Sequence, residues 1–158
     1  MSYQLAMQDP PRATTRSAMF RLETEIQVDI RAKPERIWQL LTDASDFPRW
    51  NSTVTSIEGS IALGGKLELR VPISERTFTP KVSDLKVNER MVWSDGAAPF
   101  FRGVRTFELE PRGEQTLFRM REVMTGVLLP MIRGSLPDFA PVFEQYARDL
   151  KQEAEGAG

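Results

Sequence analysis

Near the C-terminus Ile132, Leu136, Phe139, Phe143, Tyr146 and Leu150 recur at steps of 4, 3, 4, 3 and 4 residues. That spacing lines apolar side chains along one face of a single long helix, and so long a stripe has to be buried against another element. No second helix of comparable length is present to cover it. What precedes it is alternation. Leu22, Thr24, Ile26, Val28 and Ile30 share one face of a strand whose other face carries Glu23, Glu25, Gln27 and Asp29, and Leu67, Leu69, Val71 and Ile73 again fall at every second position. The cover is therefore a sheet. An α+β architecture, with a strongly bent antiparallel sheet wrapped around a long C-terminal helix, buries the stripe and the inner sheet rows together.

Punctuation along the chain supplies the order. Residues 1–19 contain Pro10-Pro11 and no hydrophobic period, and read as a flexible N-terminal arm, either disordered or serving as a lid or dimer contact. Residues 20–155 read as one domain. Pro34 suits a first helical position, Glu35 complements the helix dipole, and Ile37, Leu40 and Leu41 form a short stripe beside Trp38. The segment "TDASDFP" ends that helix and leads to Trp50, so two short helices follow the first strand. Six further strands are expected near 53–58, 66–73, 76–87, 90–95, 103–110 and 115–125, making seven. In 76–87 Phe78 and Val82 share one parity while Leu85 and Val87 share the other, which predicts a bulge near Ser83-Asp84. Ser135 and Asp138 resemble a capping box. Pro141 predicts a kink or a helix start close to it, with 128–134 as a separate helical turn.

Charge and residue types narrow the function. The net charge is −1, from 21 basic and 22 acidic residues, without the basic excess of a nucleic-acid-binding surface. There is no cysteine and no histidine, which removes disulfides, thiolate chemistry, Ser-His-Asp triads and histidine-based metal sites. No metal and no cofactor is expected. The longest apolar run, "GVLLPMI", is far shorter than the roughly 20 residues of a membrane span. The first residues lack the apolar centre of a signal peptide, so a cytoplasmic protein is expected.

The segments "KPERIWQLLTDASDFPRWN", "IALGGKLEL", "TFTPKV", "MVWSDG", "GVRTFELEP" and "REVMTGVLLPMI" occur in the order seen in the START-related helix-grip superfamily, often abbreviated SRPBCC. The chain resembles most its bacterial polyketide cyclase/dehydrase-like or ligand-binding branch, over Phe20 to Glu153. The resemblance implies a seven-stranded antiparallel sheet gripping the C-terminal helix, with a deep hydrophobic cavity between them. Relatives range from lipid-transfer domains and polyketide cyclases to co-chaperone domains, so the fold leaves the job open.

Within such a fold Trp50, Leu69, Phe78, Trp93, Arg105, Phe107, Phe118, Met120, Glu122, Leu136, Phe139, Phe143 and Tyr146 are the expected ligand-binding residues. Trp38 and Trp50 either close one end of the cavity or simply pack the core. If "PRGE" forms the turn of hairpin 103–125, Phe107 faces Phe118, Arg105 faces Met120, and Arg105 and Glu122 lie diagonally on a mostly apolar row. Two such charges either pair structurally or orient a ligand's polar part. Met91, Met120, Met124 and Met131 serve either as an adaptable lining or as core filler. In "DGAAPFF" the two phenylalanines either gate the cavity or pack beneath the loop.

Three functions fit. The first is binding of a small hydrophobic molecule, a lipid, isoprenoid or aromatic metabolite, by a monomer or homodimer. The second is a metal-free cyclase or dehydratase with Glu122 as acid or base, its carboxyl pKa raised by desolvation, and Arg105 stabilising an enolate. The third is a protein-interaction domain like the co-chaperone relatives.

Overall fold

A computed structural model describes residues 9–156; the first eight positions of the expected arm lie outside the described residues. Thr14–Ala18, also assigned to the arm above, instead forms a strand, β1. It pairs antiparallel with Arg21–Ile30 (β2), from Thr14 opposite Glu25 to Ala18 opposite Arg21. All five β1 side chains are exposed, so backbone pairing holds it and no apolar alternation announces it. In β2 Thr24, Ile26 and Ile30 of the expected inner face are buried and Leu22 and Val28 partly so, whereas Glu23, expected on the wet face, is also buried, between Arg21 and Arg121.

Pro34–Thr42 (α1) starts with its proline in the first turn and buries Ile37, Trp38, Leu40 and Leu41. A 3-10 turn at Ala44–Asp46 leads into Phe47–Trp50 (α2), the second short helix. Ser56–Glu58 (β3) then pairs with Glu68–Arg70 (β4), and Lys81–Lys86 (β5), Arg90–Ala97 (β6), Phe101–Arg112 (β7) and Gln115–Thr125 (β8) complete the strands. The main sheet runs β1-β2-β8-β7-β6-β5, all antiparallel. Bridges of Lys66 to Lys81 and Leu69 to Phe78 carry it on to β4 and β3. Eight strands are thus present among the described residues, the expected seven plus β1.

Two devices shape the sheet. Between β5 and β6 the register moves from Val82 opposite Trp93 to Asp84 opposite Val92, leaving Ser83 as the extra residue of the expected bulge. The tight β7–β8 turn lies one residue later than expected: Arg112 faces Gln115, and Gly113-Glu114 forms the loop. Gly113 takes φ +64°, as the first loop residue of a type II′ hairpin requires.

The C-terminal stripe is split. Leu129–Ile132 (α3) and a 3-10 turn at Arg133–Ser135 precede an extended Leu136, and the long helix is Phe139–Gly156 (α4). Pro141 therefore falls in its first turn, where no hydrogen bond is lost. The expected capping box does not form: Ser135 Oγ donates to the Ile132 carbonyl, and Asp138 Oδ1 accepts from the Ala140 N–H at 3.1 Å. Phe143, Tyr146, Ala147, Leu150 and Ala154 are buried against the sheet.

The C-terminal half of α4 is also fastened by polar contacts. Glu153 meets Arg49 at 2.6 Å, and Asp149 accepts from Ser52 N–H and Oγ at 2.8 and 2.7 Å. Glu155 accepts from the Arg31 N–H at 2.8 Å and pairs with Lys151. Burial works against the Glu155 charge, but these donors outweigh it and hold its carboxyl below the ordinary range.

Candidate functional site

Beside the N-terminal half of α4 lies a cavity of about 160 Å³. Phe139, Val142 and Tyr146 from the helix form one wall, and Trp93, Arg105 and Glu122 from β6, β7 and β8 form another. Ile57 and Leu69, with Phe78 in the following loop, close the far side, while Ile132 and Leu136 bound it from the segment before α4. The lining is mainly apolar, and its charged side chains include the Arg105–Glu122 pair, Arg76 and Asp95.

Arg105 and Glu122 face each other directly across β7 and β8, with Arg105 Nη2 donating to Glu122 Oε2 at 3.0 Å. The expected diagonal register is corrected by two residues: Phe107 faces Met120, and Leu109 faces Phe118. Side chains alternate with period 2, so this shift leaves every residue on its expected face and turns a diagonal relation into a direct pair. The guanidinium carbon also lies 5.1 Å from the Phe143 ring centre, a cation–π contact with the helix.

Behind this pair stands an aromatic layer. The Tyr146 ring is stacked on Phe118 with centroids 6.3 Å apart, and meets Trp50 edge-on at 6.1 Å. Trp93 packs on Phe107 at 5.1 Å. Tyr146 is 2% exposed and Trp93 4%, yet neither the Tyr146 hydroxyl nor Trp93 Nε1 has a hydrogen-bond partner among the described residues. A buried polar group without a partner costs roughly 1–3 kcal/mol, so these two line the cavity at an energetic cost. Burial pushes the Tyr146 phenol well above its ordinary pKa, with the positive charge of Arg105 acting in the opposite direction.

Eight of the expected residues thus border one space: Leu69, Phe78, Trp93, Arg105, Glu122, Leu136, Phe139 and Tyr146. Trp50, Phe107, Phe118, Met120 and Phe143 do not; they are buried in the packed layer. Trp38 lies in the core away from the cavity. Of those four methionines Met124 borders it; Met91 and Met120 are core and Met131 is exposed. In the "DGAAPFF" loop Phe101 lines the cavity and Phe100 points to solvent. Sequence reasoning missed Val142, although it stands one turn before Tyr146 and on the same helical face. It also missed Thr53 and Val54, which lie in an irregular stretch with no period to mark them.

A larger groove of about 630 Å³ runs between Pro10-Pro11, β2 and α4, but its lining mixes Arg112, Arg148 and Lys151 with Asp9, Asp29 and Glu155. It is an open, charge-balanced surface, without the apolar enclosure that ligand sites use.

Residues 19–155 match the family described as polyketide cyclase / dehydrase and lipid transport. The chain belongs to that family. Several solved structures share the helix-grip fold of this family member. One is a START superfamily protein from Mycobacterium smegmatis, 18% identical, with a TM-score of 0.64 over 86% of this chain and 99% of the other. Another is CalU16 from Micromonospora echinospora, 14% identical, with a TM-score of 0.64 over 95% and 87%. A conserved protein of unknown function from Enterococcus faecalis is 20% identical, with a TM-score of 0.62 over 92% and 78%. At these identities the likeness speaks for the fold. No curated protein matches the chain. Among the described residues of this family member no helix is long and apolar enough to cross a membrane, and no group of three acidic side chains is placed to hold a metal ion.

Proposed function

We propose that the protein binds a small, mainly apolar molecule in the cavity between the sheet and the N-terminal half of α4, with one polar group of the guest directed to the Arg105–Glu122 side. The observation that carries this reading is a mainly apolar cavity lined by one ion pair and by two side chains, Tyr146 and Trp93, whose buried donors lack partners. A guest oxygen able to accept from Tyr146 or Trp93 relieves that cost, which favours a phenol or carbonyl compound over a plain hydrocarbon. Size supports a compact guest. The space is below the roughly 300–1,000 Å³ of drug-sized sites and near the roughly 150 Å³ that holds benzene.

Calorimetric titration with p-cresol and with toluene tests the reading. The expected result is saturable one-to-one binding of p-cresol, weaker binding of toluene, and loss of both in Val142→Phe, which fills the space. Equal affinity for the two compounds removes the polar role, and binding unaffected by Val142→Phe removes the cavity as the site.

A cyclase or dehydratase reading draws on the same direct pairing of Glu122 and Arg105, with Glu122 moving a proton and Arg105 countering enolate charge. Binding is the simpler reading, because it asks nothing of the pair beyond orientation. Glu122→Gln separates the two: full turnover of a converted cyclic ketone precursor in that variant ends the catalytic reading.

A further inference from the structure

Large apolar side chains are exposed at one end of the molecule. Of the nine such residues among the described ones, six belong to three adjoining segments: Met19 and Phe20 in the β1–β2 turn, Phe100 before β7, and Val127, Leu128 and Met131 after β8. Met131 is 79% exposed, Met19 67% and Phe100 58%. Backbone hydrogen bonds join the three segments. Gly126 N–H donates to the Phe20 carbonyl at 3.2 Å, Val127 N–H to Pro99 at 3.0 Å, and Leu128 N–H to Phe100 at 3.0 Å. A Cβ at Gly126 would stand 2.1 Å from the Phe100 carbonyl oxygen, so only glycine permits this approach. Arg133 ties in the first turn by donating to Ser17 Oγ and to the Ala18 carbonyl. These tips form one connected apolar cap.

Its rim is basic. Arg21 and Arg102 both lie opposite Thr125, one on each side of it, which sets a cationic row directly behind the tips. Among the described residues Arg16, Arg102 and Arg133 have no carboxylate within ion-pair distance, and Arg21 is answered by Glu23. Asp95 stands one row further back, opposite Gly103. Exposed Met, Phe and Leu side chains ringed by arginines are the chemistry that enters the headgroup boundary of an anionic bilayer. A second copy is a poorer cover, since a two-fold contact sets a patch against itself and would bring these arginines together.

We infer that this cap docks on anionic lipid surfaces. The cap adjoins the cavity: Phe101 and Ile132 line it, and they are the chain neighbours of Phe100 and Met131. Docking therefore brings the cavity wall to the bilayer, whatever occupies the cavity.

The test is co-sedimentation with vesicles of phosphatidylcholine alone and of phosphatidylcholine with phosphatidylglycerol. The wild-type protein is expected to pellet with the anionic vesicles, less at high salt. Phe100→Ser with Met131→Ser is expected to lower partitioning at least about tenfold. Arg102→Glu lowers it on anionic vesicles only, and Leu63→Ser, exposed outside the cap, leaves it unchanged. The proposal is overturned if the wild-type protein stays in the supernatant with both vesicles, or if the double variant pellets like the wild type. A concentration-dependent dimer that the double variant dissolves, without vesicle binding, also overturns it and makes a second copy the partner. p-Cresol binding is unaffected by the cap variants, so failure here and failure of the cavity reading are separable.

Discussion

The two halves of helix α4 differ in what surrounds them. Its C-terminal half buries Leu150 and Ala154 and is pinned through Asp149, Glu153 and Glu155 to Ser52, Arg49 and Arg31. Its N-terminal half buries Phe143, Tyr146 and Ala147 but also carries Phe139 and Val142, only partly buried, beside a cavity. One helix thus serves as an anchor at one end and as a wall at the other. Three carboxylates fasten the end where no function is placed, and the other end keeps partnerless donors and empty space beside its packed rings.

That division can be broken most severely at the anchor. Leu150→Ala removes a side chain with no exposure and should cost about 2–5 kcal/mol of unfolding free energy, read by denaturant titration. Glu122→Ala strips Arg105 of its partner at the wall and should cost about 1–3 kcal/mol. Glu122→Gln should recover most of that stability while altering p-cresol affinity. Phe139→Ala, a larger deletion than Leu150→Ala, should nevertheless cost only about 1–2 kcal/mol, because its side chain already borders a void. A loss equal to that of Leu150→Ala would show that the two halves are packed alike.

Acid should sharpen the comparison with a smaller effect. The Glu155 carboxyl is held below its ordinary value of 4.5, so its contribution is present above that pH and is lost as pH falls through the lower folded value. Amide exchange is expected to quicken first around Arg31 and the end of α4 in that range. Exchange around Phe139 and Val142, remote from this carboxylate, should change less.

Where a side-chain period existed, the fold could be read from it. The alternation of β2, the parity switch at Ser83 and the proline-led start of α1 each predicted what is found, because burial imposes those periods. β1 escaped notice because "TTRSA" has no buried face at all. The β7–β8 register was missed by two residues because Pro111 reads as a turn residue. It stands instead in β7 beyond Glu108, the last partner of β6, where its lack of an N–H costs no ladder bond. The stripe from Ile132 to Leu150 continued in sequence across Leu136–Asp138, although the backbone there is extended. The same period therefore covered two helices and a cavity edge. Half-site residues such as Phe107 and Phe118 were placed on the right face but at the wrong depth, since period 2 tells in from out and says nothing of how far a helix stands away.

The fully exposed surface of β1 has a further consequence. Without it the first half of β2, from Arg21 to Glu25, would be an open edge of the sheet, offering its unpaired backbone groups beside Leu22 to any passing chain. β1 occupies that position with five exposed residues and a central arginine, Arg16. A short charged border of this kind offers little on which a neighbouring strand can add, so the same segment that lacks a core role guards the molecule against fibre-like self-assembly.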